Sequence, residues 1–285
     1  MTRLLRHLLL AAALVALLAA CSSVTRVAYN NAAFAGTWVV DDWFDLDEGQ
    51  RDWVKERLER FVEWHRATEL PAYERLLQEA SAQAGSRITA EDARRIYGQM
   101  RVLYHRSLER AIPDMADFLL QVRPAQVEHL ERKFAADNTR AETENRKGTP
   151  AQRREARAKR FVESLEDWTG RLTAAQRSRV HARVEAMQDI GAEWMGDRRR
   201  RQAATLALIR SRPSREAMVA GLTRLLVDTA TWRRPEYAAM LKSRDESVFA
   251  LIAEVDATLS PEQRDRLQRR LGVYVADVAY LMAAN

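Results

Sequence analysis

The chain of 285 residues holds one cysteine, seven prolines and ten glycines. A single cysteine excludes a disulfide framework, so burial of apolar side chains must hold the fold together. Scarce glycine and proline leave little material for turn-rich sheets or long active-site loops. Strict alternation of apolar and polar residues is missing throughout, which argues against strands. The sequence has no Gly-x-Ser-x-Gly elbow, no phosphate-binding glycine loop and no His-Glu-x-x-His pair, so no familiar reaction motif is present. Apolar runs of spanning length are also missing, because Leu8–Leu18 is well short of the ~20 residues a bilayer requires. Charge is nearly balanced at 46 Lys+Arg against 40 Asp+Glu, too mild for a polyanion binder, and no nucleic-acid partner is expected.

What is present begins at the N-terminus. Arg3 and Arg6 precede the apolar stretch Leu8–Leu18, and small residues close it, which is the layout of a secretory signal. The closing tetrad Leu18-Ala19-Ala20-Cys21 resembles the lipobox of bacterial lipoproteins. That resemblance implies cleavage before Cys21, acylation of its sulfur and amine, and a membrane tether. Ser22 in the next position implies, by the same resemblance, export to the outer membrane, with the protein facing the periplasm. Removing Arg3 and Arg6 with the signal leaves 44 basic against 40 acidic residues.

The composition, rich in Ala, Leu, Arg and Glu, points to an all-α fold, a bundle of capped amphipathic helices. One pattern recurs: an apolar residue, a cap residue, two spacers, then Gln or Asp. It reads Leu46-Asp47-x-x-Gln50, Ile88-Thr89-x-x-Asp92, Val122-Arg123-x-x-Gln126, Leu172-Thr173-x-x-Gln176 and Leu259-Ser260-x-x-Gln263. Asp, Thr or Ser accepts from a free helix-start N–H, and the fourth residue reaches back to the cap N–H. Arg123 departs from the cap rule. Apolar residues seven and eleven positions after each cap mark one buried stripe per helix. Further helices are expected over Pro113–Gln121, Pro150–Trp168, Ser214–Trp232 and Glu236–Thr258. The organisation expected is a signal peptide at 1–20, a tether with an aromatic and acidic segment at 21–45, a helical half at 46–137, a polar linker at 138–150 and a second helical half at 151–285.

The Leu172-Thr173-x-x-Gln176 and Leu259-Ser260-x-x-Gln263 copies resemble the LTxxQ signature of the Spy/CpxP-like periplasmic chaperones and adaptors. That likeness implies a helical cradle that binds unfolded clients or a sensor; convergence on good capping is the alternative. Residues 21–77 more closely resemble an uncharacterised family of proteobacterial outer-membrane lipoproteins, which shares the lipobox, Tyr29-Asn30, the stretch Trp38–Leu46 and Trp64-His65. That family implies no activity.

The aromatic segment Tyr29–Trp64 is expected to pack within the core rather than lie on a membrane. His65, His105 and His181 each have a Glu four residues on, and these read as solvated helix-face pairs, not metal ligands. The basic runs Arg146–Arg160 and Arg198-Arg199-Arg200-Arg201 could contact phosphate groups, although solvated faces are the simpler expectation. The expected function is therefore a non-catalytic, lipid-anchored binding module with a protein partner or client and no cofactor. Binding of anionic lipid or lipopolysaccharide, or an enzyme with an unrecognised site, are the alternatives.

Overall fold

In the computed structural model, the structure describes residues 24–284, and the expected lipobox Leu18, Ala19, Ala20 and Cys21 lies outside them. The fold is all-α: eleven helices and no strand among the described residues. A helical run over 24–30 leads through a turn at Asn31 into α1 (Ala32–Phe44). Asp45, in the left-handed region at φ 51°, ends α1 and turns the chain into the cap of α2 (Glu48–Trp64). A π-helical segment, His65–Glu69, joins α2 to α3 (Leu70–Ala84). Then follow α4 (Ala90–Leu120), α5 (Pro124–Arg146), α6 (Pro150–Thr169) and α7 (Ala174–Ala186). The chain continues as α8 (Gly191–Arg210), α9 (Arg215–Leu226), α10 (Pro235–Asp256) and α11 (Pro261–Ala283).

Three boundaries differ from the expected ones. No helix begins at Pro113, because α4 runs through it for 31 residues, about 46 Å. Proline removes one ladder hydrogen bond, but Ile112 and Ala116 on either side are fully buried, so packing holds the helix together. The helix capped by Ser214 stops at Leu226, and a short 3₁₀ turn, Thr229–Thr231, precedes Trp232. Finally, the sequence lets Arg198–Arg201 end the helix begun at Thr173 or sit inside a longer one; that helix ends at Ala186, and the run lies inside α8.

Two apolar clusters form the interior. The first gathers Leu46, Val54, Ile112, Phe118, Leu130, Ile209, Met218 and Leu222, with Trp43, Phe44 and Trp53 packed on it. It draws on chain from both sides of the 138–150 segment, most of which is the helical end of α5. The second gathers Ala158, Val162, Leu172, Val180, Val184, Leu251 and Val255 from α6, α7 and α10. Each large aliphatic side chain buried there contributes roughly 1.5–3 kcal/mol. Helix α4 spans the clusters, packing on α9 towards one and α10 towards the other, and α11 lies along α3.

Arginine's abundance finds a structural use in the interior. Four acids are buried, Glu69, Asp197, Asp256 and Asp277, and each faces an arginine: Arg106, Arg233, Arg264 and Arg26. A buried carboxylate without a cation would be strongly destabilising, so these pairs fix which helices meet.

Candidate functional site

The capping residues meet in pairs. At the starts of α7 and α11, Thr173 and Ser260 accept from the backbone N–H groups of Gln176 and Gln263, and both glutamines return the bond. The two glutamine amides then face each other, each Nε2 donating to the other's Oε1 at 2.9 and 3.1 Å. The same Nε2 atoms also donate to Thr258 O and Arg171 O, each two residues ahead of the opposite cap. Gly170, at φ 80°, ends α6 immediately before this junction.

A second junction joins α2 and α5. Asp47 and Gln50 form a reciprocal box, and Gln126 accepts from Arg123 N–H at 3.0 Å. The amides of Gln50 and Gln126 pair at 2.7 and 3.2 Å, and Gln126 Nε2 donates to Asp45 O. A guanidinium cannot accept, so Arg123 offers its backbone oxygen to Gln126 N–H and sends its side chain to Asp47 at 2.6 Å. Thr89 and Asp92 form an unpaired box on α4, and Thr149 with Gln152 form one on α6 outside the recurring sequence pattern. Its preceding residue is Gly148 rather than an apolar one, which is why the pattern missed it.

The segment that follows Cys21 in the sequence is clamped to the body. Arg26 Nε donates to buried Asp277 at 2.7 Å, and the guanidinium covers the Tyr280 ring. Tyr29 OH and His65 Nδ1 lie 2.9 Å apart, and Arg66 bonds both Asn30 and the Ala284 carbonyl. The π segment makes this possible. Pro71 has no N–H for the ordinary ladder and would press on the Ala67 carbonyl; the wider turn, with Leu70 N–H bonded to His65 O, relieves both.

His65 and Glu69 are therefore not the solvated pair expected from their spacing. His65 is half-buried among Tyr29, Phe61 and Tyr73, and Glu69 is fully buried with the Arg106 guanidinium 2.8 Å away. Burial holds the His65 imidazole below its ordinary value, with Glu69 opposing, which favours its neutral form. Burial pushes the Tyr29 phenol up to about 12, and burial with the Glu69 charge raises Tyr73. The other expected pairs are superficial: His181 faces Glu155 at 3.3 Å, and His105 is only partly covered.

The aromatic segment divides. Trp43, Phe44 and Trp53 pack inward, with edge contacts from Trp43 to Phe134 and from Phe44 to Phe118. Phe34 and Trp38 face outward. Most of the tetra-arginine run is engaged: Arg198 pairs with Asn138 and Asp137 and Arg199 with Glu142 across to α5, and Arg200 with Asp197 on its own helix. The other basic run lines a cleft of 820 Å³ in which Lys147, Arg153, Arg157 and Arg160 meet Arg244 and Trp194, with Asp189 on its wall. No local pattern announced Arg244 or Trp194, which arrive from α10 and α8. On α4, Tyr97, Met100, Arg101, Val102 and Tyr104 form an exposed ridge, with open space above Gly98. Among the described residues, no group of three or more His, Cys, Asp or Glu could hold a metal ion, and no helix is long and apolar enough to cross a membrane.

Residues 42–238, more than half of the chain, match the model of a family described as a family of unknown function, DUF6279. No curated protein and no solved structure matches the chain.

Proposed function

The chain belongs to the DUF6279 family of unknown function, and from that premise we propose that it is a lipid-anchored, non-catalytic binding module of the bacterial envelope, tethered through Cys21 and presenting a helical surface to a partner polypeptide. The observation that carries the binding reading is the exposed ridge of α4. Tyr, Met and Arg are the side chains enriched where proteins meet, and here they gather on the exposed stretch of a helix anchored at both ends. The lipobox supports the tether, and the clamp of residues 26–30 onto α11 and the π segment supports a body held close to it.

A photo-crosslinking side chain at Tyr104 in the anchored protein tests this reading. Discrete adducts are expected in intact envelopes, reduced about tenfold by Tyr97→Ser, while the same probe at exposed Lys159 stays unreacted. No adduct along the ridge, with no slowing of aggregation of an unfolded client, would sink it.

The basic cleft favours a second reading, binding of an anionic headgroup such as a lipopolysaccharide phosphate. Four of its cations lie on or beside the first turns of α6, and Trp194 offers a flat apolar wall. Salt-sensitive binding of anionic vesicles that Arg153→Ala and Arg157→Ala abolish would favour it over the ridge.

A further inference from the structure

The helical run from residue 24 to the end of α1 is covered on one face and bare on the other. The covered face carries Ala33, Gly36 and Thr37, and a Cβ at Gly36 would come within 2.9 Å of Leu58 Cδ1. Four large apolar side chains point the other way: Val24, Val27, Phe34 and Trp38 are 66, 59, 71 and 65% exposed. Val24 and Val27, three apart ahead of the turn at Asn31, share one helix face, and Phe34 and Trp38, four apart on α1, share another; the four exposed side chains together make the apolar stripe of this segment. Between residues 24 and 40 the only charged side chain is Arg26, and Asp277 turns it towards the body. The acids Asp41, Asp42 and Asp45 begin only where the stripe ends.

We infer that this stripe lies in the headgroup layer of the membrane that holds Cys21, so that the N-terminal helix docks the body flat on the bilayer. The inference rests on the anchoring proposed above. The occupant follows from reach: Cys21 precedes Val24 by three residues, at most ~11 Å of extended chain, so an acylated Cys21 keeps the near end of the stripe beside the lipid. Tryptophan is at home in the headgroup layer, and an apolar face without charges inserts there at low cost. Stiffness comes from the clamp, because Arg26–Asp277 and Tyr29–His65 prevent the helix from swinging free of the body.

The anchored protein has its only native cysteine committed to the lipid, so a cysteine introduced elsewhere takes an environment-sensitive dye selectively. Dye is attached in separate proteins at Phe34→Cys, Trp38→Cys and, as a control on α4, Gly98→Cys, all in phosphatidylethanolamine–phosphatidylglycerol vesicles. Spin-labelled lipid is expected to quench the dye at 34 and 38 at least about fivefold more than at 98, and aqueous iodide to quench it less. Iodide quenching at 34 and 38 equal to that at 98 overturns the inference. Protection from both quenchers also overturns it, because a protein, a second copy included, then covers the stripe. Intact mass of the same samples reports acylation separately. Acylated protein with both dyes in water sinks the docking alone, whereas unacylated protein sinks the anchor reading itself.

Discussion

The junction of α2 with α5 and that of α7 with α11 share one geometry but not one set of residues. Both place two glutamine amides face to face, and both send an Nε2 to the carbonyl two residues ahead of the opposite cap. The α7/α11 junction makes that carbonyl bond in both directions and has a hydroxyl at each cap. The α2/α5 junction makes it once and has Arg123 where a cap acceptor would stand, with an ion pair to Asp47 in exchange. The glutamines thus define how the helices meet, while the cap residue is free to set the local charge. One junction is neutral and the other ionic.

The largest effect expected from breaking this scheme is at the glutamines. Gln176→Ala leaves Thr173 N–H, Thr258 O and the Gln263 amide short of partners in a buried place, at a cost of about 3 kcal/mol. Gln50→Ala removes fewer bonds at a more exposed site and should cost about half as much. Urea denaturation of both variants measures the difference, and equal losses would erase the distinction between the junctions. Next come the caps: Thr173→Ala should cost about 1 kcal/mol, while Arg123→Ala, which removes only an exposed pair, should cost less than about 0.5.

The smallest effect is the most diagnostic. The Gln50 N–H bond, followed by Arg123, holds the Asp47 carboxyl below its ordinary value. A carboxylate depressed on folding stabilises above its unfolded value near 3.9, and that stability is lost as pH falls through the lower folded value. The destabilisation caused by Asp47→Asn should therefore be present at pH 7 and shrink below about pH 4. That caused by Thr173→Ala should not change with pH, since α7 has no acid in its first turn. Denaturation midpoints of both variants at several pH values decide this.

The caps were legible in the sequence because each fits in a five-residue window. Their pairing was not, because Gln50 and Gln126 are 76 positions apart and Gln176 and Gln263 are 87 apart. Glu69 escaped because a spacing of four assumes α-geometry, and the π turn rotates it inward against Arg106. The bare stripe escaped for a different reason. Apolar periodicity shows that a helix has an apolar face but not whether that face is buried, and over residues 32–37 α1 packs through small side chains. The exposed ridge of α4 overturns one expectation: Met100, eleven positions after the Thr89 cap, falls in the expected buried stripe yet is 38% exposed, because exposure depends on which neighbours arrive. The aromatic anchors Trp43, Phe44 and Trp53, by contrast, lie where large buried side chains are expected.

The clamp also sets an order in time. Arg26 emerges from the ribosome 251 residues before its partner Asp277. At about 5–20 residues per second, that interval is roughly 13–50 s. Throughout it the N-terminal segment has no α11 to dock on, and neither has α3. A chain cut short before Pro261 would lose α11, the part of the receiving surface that carries Asp277 and Tyr280, so a helix made late seats a segment made early.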